Sequence, residues 1–140
     1  MKSELEKGIE GIGIRIFSLR SNQVMLDSDL ADLYNVETKQ INRLVKRNLE
    51  RFPNTFMFKI EKEEWENLKY QFGTSSLIYG GRRHLPYVFT EQGVAMLSAV
   101  VRSTIAIKIS IQIMEAFVQM RNLIASNGEL FQKVVSLEKK

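Results

Sequence analysis

The chain has 140 residues, 44% of them hydrophobic, which is enough to bury one full core and predicts a single domain with short tails. It contains no cysteine, which excludes disulfide scaffolds and thiolate zinc sites and fits a reducing cytoplasm. The net charge is only +4, yet the region from Thr38 to Lys59 holds six basic residues against the single acid Glu50. Such a concentrated basic region attracts a phosphate backbone, whereas charge that serves only solubility would be scattered.

The sequence gives no sign of a membrane segment. The charged N-terminus lacks the apolar run of a signal peptide. The most apolar stretch, Thr104–Met114, is too short to span a bilayer and is followed by Glu115 and Arg121. We therefore expect a soluble cytoplasmic protein without a membrane partner. Its predicted parts are a flexible tail over residues 1–11, a domain over 12–126, and over 127–140 a C-terminal tail for which a short helix is one option.

The N-terminal region predicts a β-hairpin. Two short apolar runs, Ile12–Leu19 and Val24–Leu26, flank the turn residues Ser21–Asn22. Such a ribbon either covers the core or lies on DNA as a wing through Arg20.

The next segment, Asp27–Val45, has the spacing of two short helices joined by a tight turn. Ala31 allows the helices to cross closely, Asn35 tolerates the positive φ that ends the first helix, and the hydroxyl of Thr38 can cap the second. Apolar residues recur at helical intervals in both halves and predict one buried side for each helix. These residues are Leu30, Leu33, Tyr34, Ile41, Leu44 and Val45.

The outer side of the second helix carries the residue types that read base edges in the DNA major groove. Arg and Lys pair with guanine, Asn and Gln with adenine, and Thr contacts the thymine methyl group. The segment therefore predicts a helix-turn-helix, the alternative being an ordinary amphipathic helix pair with a solvated basic face. The predicted base-reading residues are Thr38, Lys39, Gln40, Asn42, Arg43 and Lys46. The residues expected to bind phosphates are Arg20, Arg47, Arg51, Arg82 and Arg83.

The second half of the chain predicts short strands that alternate with helices. A strand over Phe56–Ile60 precedes a helix over Lys62–Phe72. A second strand over Leu85–Phe89, with Pro86 at a sheet edge, leads into a helix that Thr90 caps.

The region from Thr104 to Ile124 fits a strand locally, but its length favours a long helix that ends at Asn127–Gly128. Its buried face is predicted to contain Ala106, Ile109, Ile113, Phe117, Met120 and Ile124. Being apolar on nearly every side, this helix is expected to be central to the core or shared with a second subunit. The fold class is therefore α+β, a mainly helical single domain with a helix-turn-helix, an N-terminal β-hairpin and short additional strands.

No set of residues supports catalysis. His84 is the only histidine, which leaves no choice of general base and at most one imidazole for a metal. The acids around Glu63 and Glu64 favour the N-terminal end of a helix. We expect no enzyme activity, no catalytic residue, no cofactor, no metal and no small-molecule substrate.

Three segments, Val24–Tyr34, Val45–Pro53 and Gly80–Ser103, resemble the phage-type ORF-six N-terminal domain family, which is grouped with the KilA-N and Bro-N domains of phages and large DNA viruses. The resemblance implies DNA binding in phage-derived or bacterial genes of regulatory character. We expect a homodimeric transcriptional regulator that binds specific double-stranded DNA sequences. The alternative is an antirepressor-like protein-interaction module, in which the Thr104–Ile124 helix is the active surface.

Overall fold

The structure is a computed structural model that describes residue 8 and residues 11–72, 85–101 and 103–138. Its strands are β1 (Phe17–Leu19), β2 (Asn22–Leu26), β3 (Met57–Lys59) and β4 (Tyr87–Thr90). Its helices are α1 (Asp27–Tyr34), α2 (Thr38–Arg47), α3 (Lys62–Phe72), α4 (Glu91–Val101) and α5 (Thr104–Glu138), and a short 3₁₀ turn covers Leu49–Arg51. The α+β, mainly helical class predicted from the sequence is confirmed. The predicted tail over residues 1–11 lies almost wholly outside the described residues.

The four strands form one antiparallel sheet in the order β1-β2-β4-β3. In its middle, Val24 of β2 lies opposite Thr90 of β4, and Leu26 lies opposite Val88. The prediction that Pro86 lies at a sheet edge is wrong, because β4 is an interior strand and the fully buried Pro86 directly precedes it. A proline before the first residue of a strand removes no hydrogen bond from the ladder.

The predicted N-terminal hairpin is present, but its turn lies one residue earlier than expected. Arg20 and Ser21 form the turn, with φ angles of 52° and 65°. Two successive positive φ angles match the type I′ turn, whose twist fits a two-residue hairpin. Residues 11–13 are helical and not extended, and the chain leaves this helix through a turn in which the N–H of Arg15 donates to the carbonyl of Ile12 at 2.9 Å. Ile12 and Ile16, on either side of this turn, are both buried.

Helices cover both faces of the sheet. Alternate strand residues such as Met25, Met57 and Phe89 point into the larger core, which α1, α2, α4 and α5 complete. On the other face, Trp65 and Leu68 of α3 pack against a smaller cluster that includes strand residues Val24, Leu26 and Val88. The sheet is therefore the rigid layer on which α1 and α2 are mounted.

Helix α5 runs without interruption from Thr104 to Glu138. The prediction that Asn127–Gly128 ends it is wrong, because a glycine in a helix interior costs only about 1 kcal/mol and does not force a stop. The predicted inner face is confirmed for Ala106, Ile113 and Phe117, which are buried. Ile124, at the end of that face, is exposed.

The caps of α2 and α4 differ in how well the sequence predicted them. Thr38 is the first residue of α2 and not its cap; Glu37 takes that place, and its backbone N–H donates to Oε1 of Gln40 at 2.9 Å. This is one half of a capping box, in which a polar side chain satisfies an N–H at the helix start. For α4 the prediction is confirmed, because the N–H of Gly93 donates to Oγ1 of Thr90 at 3.3 Å.

Candidate nucleic-acid interface

The turn between α1 and α2 sets the direction of the second helix. Asn35 ends α1 in the left-handed region, with φ 59° and ψ 46°, as predicted from its tolerance of positive φ. The N–H of Asn35 donates to the carbonyl of Asp32 at 3.1 Å, and that of Val36 donates to the carbonyl of Ala31 at 2.9 Å. The side chain of Ala31 is buried, which is consistent with close packing of the two helices at this point.

A buried carboxylate joins α1, α2 and the sheet. Asp27, the first residue of α1, has no exposed surface. Its Oδ1 accepts the N–H of Ser28 at 2.7 Å, and its Oδ2 accepts both the side-chain amide of Asn42 and the N–H of Tyr87, each at 3.2 Å. Because one carboxylate is bonded to α2 and β4 together, the outer surface of α2 has a fixed position relative to the sheet.

A groove of about 470 Å³ lies beside α2. Its lining combines the cationic side chains of α2 with apolar groups from the 3₁₀ turn and from strands β3 and β4. The nitrogen of Lys59 lies 6.0 Å from the centre of the Tyr87 ring and adds a further cation near this groove. The lining residues are Lys39, Asn42, Arg43, Val45, Lys46, Leu49, Met57 and Tyr87.

Most cations of this region are not neutralised by the protein itself. Lys39 is 3.2 Å from a carboxylate oxygen of Glu37, but both side chains are largely exposed. Within the described ranges, Arg43, Lys46, Arg47 and Arg51 form no ion pair, and all four are exposed. Their positive charge is therefore available to an external polyanion.

The predicted base-reading residues divide into two groups. Lys39, Asn42, Arg43 and Lys46 line the groove together. The half-buried Thr38 and the exposed Gln40 do not line it, and Gln40 is engaged in the cap of α2.

The predicted phosphate-binding residues are more widely spread. Arg47 is exposed on α2, and Arg51 lines a separate cleft of about 240 Å³ with Asn48, Ala99 and Val100. Arg82 and Arg83 lie outside the described residues, as does His84.

Arg20 is held by other side chains of the protein. Its Nε and Nη2 each donate to Glu64 of α3 at 2.8 Å, and its guanidinium lies 4.4 Å from the centre of the Phe58 ring. The hydrogen bond between the two side chains raises the pKa of Arg20 and lowers the pKa of Glu64. Arg20 thus fastens the hairpin turn to α3 and does not line the groove beside α2.

The sequence did not reveal three parts of this site. Asp27 could have been recognised from the sequence, because it directly follows the apolar run Val24–Leu26, which is buried. An acidic side chain buried at such a position must accept hydrogen bonds from nearby donors. Tyr87 and Met57 could not have been recognised, because nothing local predicts that β3 and β4 lie beside α2. Only the pairing of distant strands brings them there.

These features define a mainly helical α+β domain with a cationic groove beside its second helix. The family model for the ORF6N domain matches residues 14–100, more than half of the chain, and the chain therefore belongs to this phage-type family. The matched region contains the hairpin, both helices of the site and all four strands. Comparison with the curated proteins and with the solved structures finds no match to this chain.

Two further observations concern the part of the chain that the structure describes. None of its helices combines the length and the apolar character needed to cross a membrane. Among the same residues, no three His, Cys, Asp or Glu side chains come together in a way that could hold a metal ion.

Proposed function

We propose that this chain binds specific double-stranded DNA sequences through α2, with α1 and α2 forming a helix-turn-helix. In this proposal the protein is a phage-type transcriptional regulator and not an enzyme. The observation that carries the proposal is the row of exposed cations on a helix whose position is fixed by the Asp27 carboxylate. Membership of the ORF6N family supports it.

The spacing of the cations suits the major groove. Lys39, Arg43 and Lys46 follow one another at intervals of four and three residues, so they lie on one side of α2. At a rise of about 1.5 Å per residue they span roughly 10 Å, the length of about three base pairs. In the proposed complex Arg43 and Lys46 bind guanine edges, which are the acceptors that Arg and Lys recognise most often.

Asn42 is compatible with both a positioning role and a reading role. One hydrogen of its amide is directed at Asp27. Its carbonyl oxygen and its second amide hydrogen remain, and these are the two groups that bind adenine in a bidentate contact. Arg47 and Arg51 are assigned to phosphates, where contacts fix the register without reading the sequence.

The proposal is tested by selection from a random-sequence duplex pool, followed by titration of the selected site against salt. The variant Arg43→Ala/Lys46→Ala should lose on the order of 1–3 kcal/mol for each guanine contact and should show a relaxed sequence preference at those positions. The matched control is Lys62→Ala/Lys69→Ala, which removes the same charge from α3 on the other face of the sheet. Unchanged affinity of the first variant at physiological salt, or equal weakening by both variants, would contradict reading through α2.

The exposed isoleucines of α5, Ile107 and Ile111, favour a second candidate, a protein-interaction module that acts on another regulator. In that case the basic face of α2 would only grip phosphate. Weak, steeply salt-dependent DNA binding without enrichment of any sequence would support this candidate and contradict the first.

A further inference from the structure

The outer face of α5 carries an apolar stripe with the spacing of a two-helix contact. Ile107, Ile111, Met114 and Val118 follow one another at intervals of four, three and four residues, the repeat of a coiled-coil seam. Ile107 is 52% exposed and Ile111 is 57% exposed, while Met114 and Val118 are half-buried. Adjacent exposed isoleucines on a regular seam indicate a surface that another helix covers.

The stripe lies beside the face that α5 presents to its own domain, each of its residues following an inner-face residue by one position. That inner face contains Ala106, Ile113 and Phe117, together with Ser110, whose buried hydroxyl is 2.7 Å from the hydroxyl of Tyr34. Because this hydrogen bond and the buried residues fix the rotation of α5, Ile107 and Ile111 remain directed away from the core, while Met114 lies at its border and packs partly against it.

Two opposite charges flank the stripe on its exposed side. Lys108 and Glu115 are both exposed, seven residues apart on the same side of the helix, and neither forms an ion pair within the described residues. In an antiparallel pair that sets Ile111 against Met114 of a second copy, Lys108 comes beside Glu115 of that copy. Twofold symmetry produces this ion pair twice.

The ends of the stripe fit the same arrangement. The seam continues to Thr104 on one side and to Arg121 on the other, and these polar residues lie opposite each other in the antiparallel pair. A parallel pair would instead set Lys108 against Ser103 and Glu115 against Ser110, which offers no ion pair. The charges therefore select both the partner and its direction.

We infer that α5 binds α5 of a second copy of this chain in an antiparallel pair centred between Ile111 and Met114. The pair forms without DNA, so the inference does not depend on the function proposed above. It names the surface through which two copies of the domain would present two DNA-binding helices.

The first test is sedimentation equilibrium of the full chain without DNA, from micromolar to submillimolar concentration. Ile111→Ser should raise the dimer dissociation constant on the order of tenfold or more. The effect is large because twofold symmetry repeats the substitution in both copies, so that both contacts of Ile111 with Met114 are lost. Ile105→Ser is the control, since Ile105 is 68% exposed but lies on the opposite side of the helix. Circular dichroism establishes that both variants fold.

The second test uses charge reversal. Lys108→Glu and Glu115→Lys should each weaken self-association roughly three- to tenfold, because like charges then meet at both symmetric positions. Mixing the two variants should restore association, since each reversed residue meets its complement in the mixed dimer.

Either of two results overturns the inference: a wild-type chain that is monomeric at every concentration, or a mixture no more associated than its components. The first result would assign the stripe to a different protein. A dimer that forms as described but binds no DNA would refute only the proposed function.

Discussion

Replacement of Asp27 by asparagine tests the buried contact that fixes α2 against the sheet. The carboxylate has no exposed surface and accepts N–H groups from Ser28, Asn42 and Tyr87. Asparagine has almost the same size, but one of its two terminal atoms is an NH₂ group. If that group replaces Oδ1 it faces the N–H of Ser28, and if it replaces Oδ2 it faces the donors of Asn42 and Tyr87.

The magnitude follows from the less costly orientation. A hydrogen bond to a charged acceptor contributes about 1.5–3 kcal/mol, and a buried donor left without a partner costs about 1–3 kcal/mol. The introduced asparagine would give up at least the bond to Ser28 and would weaken the other two by losing the negative charge. We expect the free energy of unfolding to fall by about 2–4 kcal/mol, a large fraction of the total for a domain of this size.

The measurement is urea-induced unfolding followed by circular dichroism. Asp32→Asn is the matched control, because Asp32 is exposed on the same helix and its carboxylate, 2.9 Å from Arg15, forms a surface ion pair worth less than about 1 kcal/mol. A double-mutant cycle with Asn42→Ala should give a coupling of about 0.5–3 kcal/mol. A loss below about 1 kcal/mol for Asp27→Asn, or equal losses for the two aspartates, would refute the reasoning.

Two further predictions concern packing and pH. Gly93→Ala should lower the free energy of unfolding by about 3 kcal/mol or more, because the new Cβ would lie 1.9 Å from the carbonyl oxygen of Phe56. The control Gly13→Ala has nothing within 4 Å of the new Cβ and should leave the melting temperature nearly unchanged. Similar melting temperatures for the two variants would contradict the close packing of Gly93 against Phe56. Arg20 lowers the pKa of Glu64, so the stabilisation by this pair is present above the ordinary pKa of about 4.5 and is lost as the pH falls through the lower, folded-state pKa. Solvent screens the pair, so the loss of stability should stay below about 1 kcal/mol. Glu64→Gln should remove this part of the pH dependence of the melting temperature. An unaltered pH profile in the variant would show that the pair of Arg20 and Glu64 is not its cause.

Local chemistry made part of the fold predictable. The left-handed Asn35, the buried Ala31 and the bounds of helix Lys62–Phe72 agree with the structure because each depends on residues within a few positions. The Glu37 cap was missed because the usual caps are Ser, Thr, Asn and Asp, and Thr38 stood one position later.

Contacts between distant segments were not predictable in the same way. The interior position of β4 depends on its pairing with both β2 and β3, and no local pattern specifies which strands are neighbours. For this reason the sequence identified the cations that line the groove but not Met57 and Tyr87, which line it from two different strands. The roles predicted for the cations in DNA binding stay predictions.

The interior position of β4 also sets an early limit on folding during synthesis, because the sheet cannot be completed before β4 has been made. Asp27 and its partner Tyr87 are 60 residues apart, which corresponds to roughly 3–12 s of translation at about 5–20 residues per second. Until β4 has left the ribosome, β2 and β3 have no strand between them, and α1 and α2 have no completed layer to rest on. The segment Asp27–Arg47 therefore cannot fold alone in another protein. The shortest unit that keeps its supporting core extends from the hairpin at least to Phe117 of α5, because α4 and α5 complete that core.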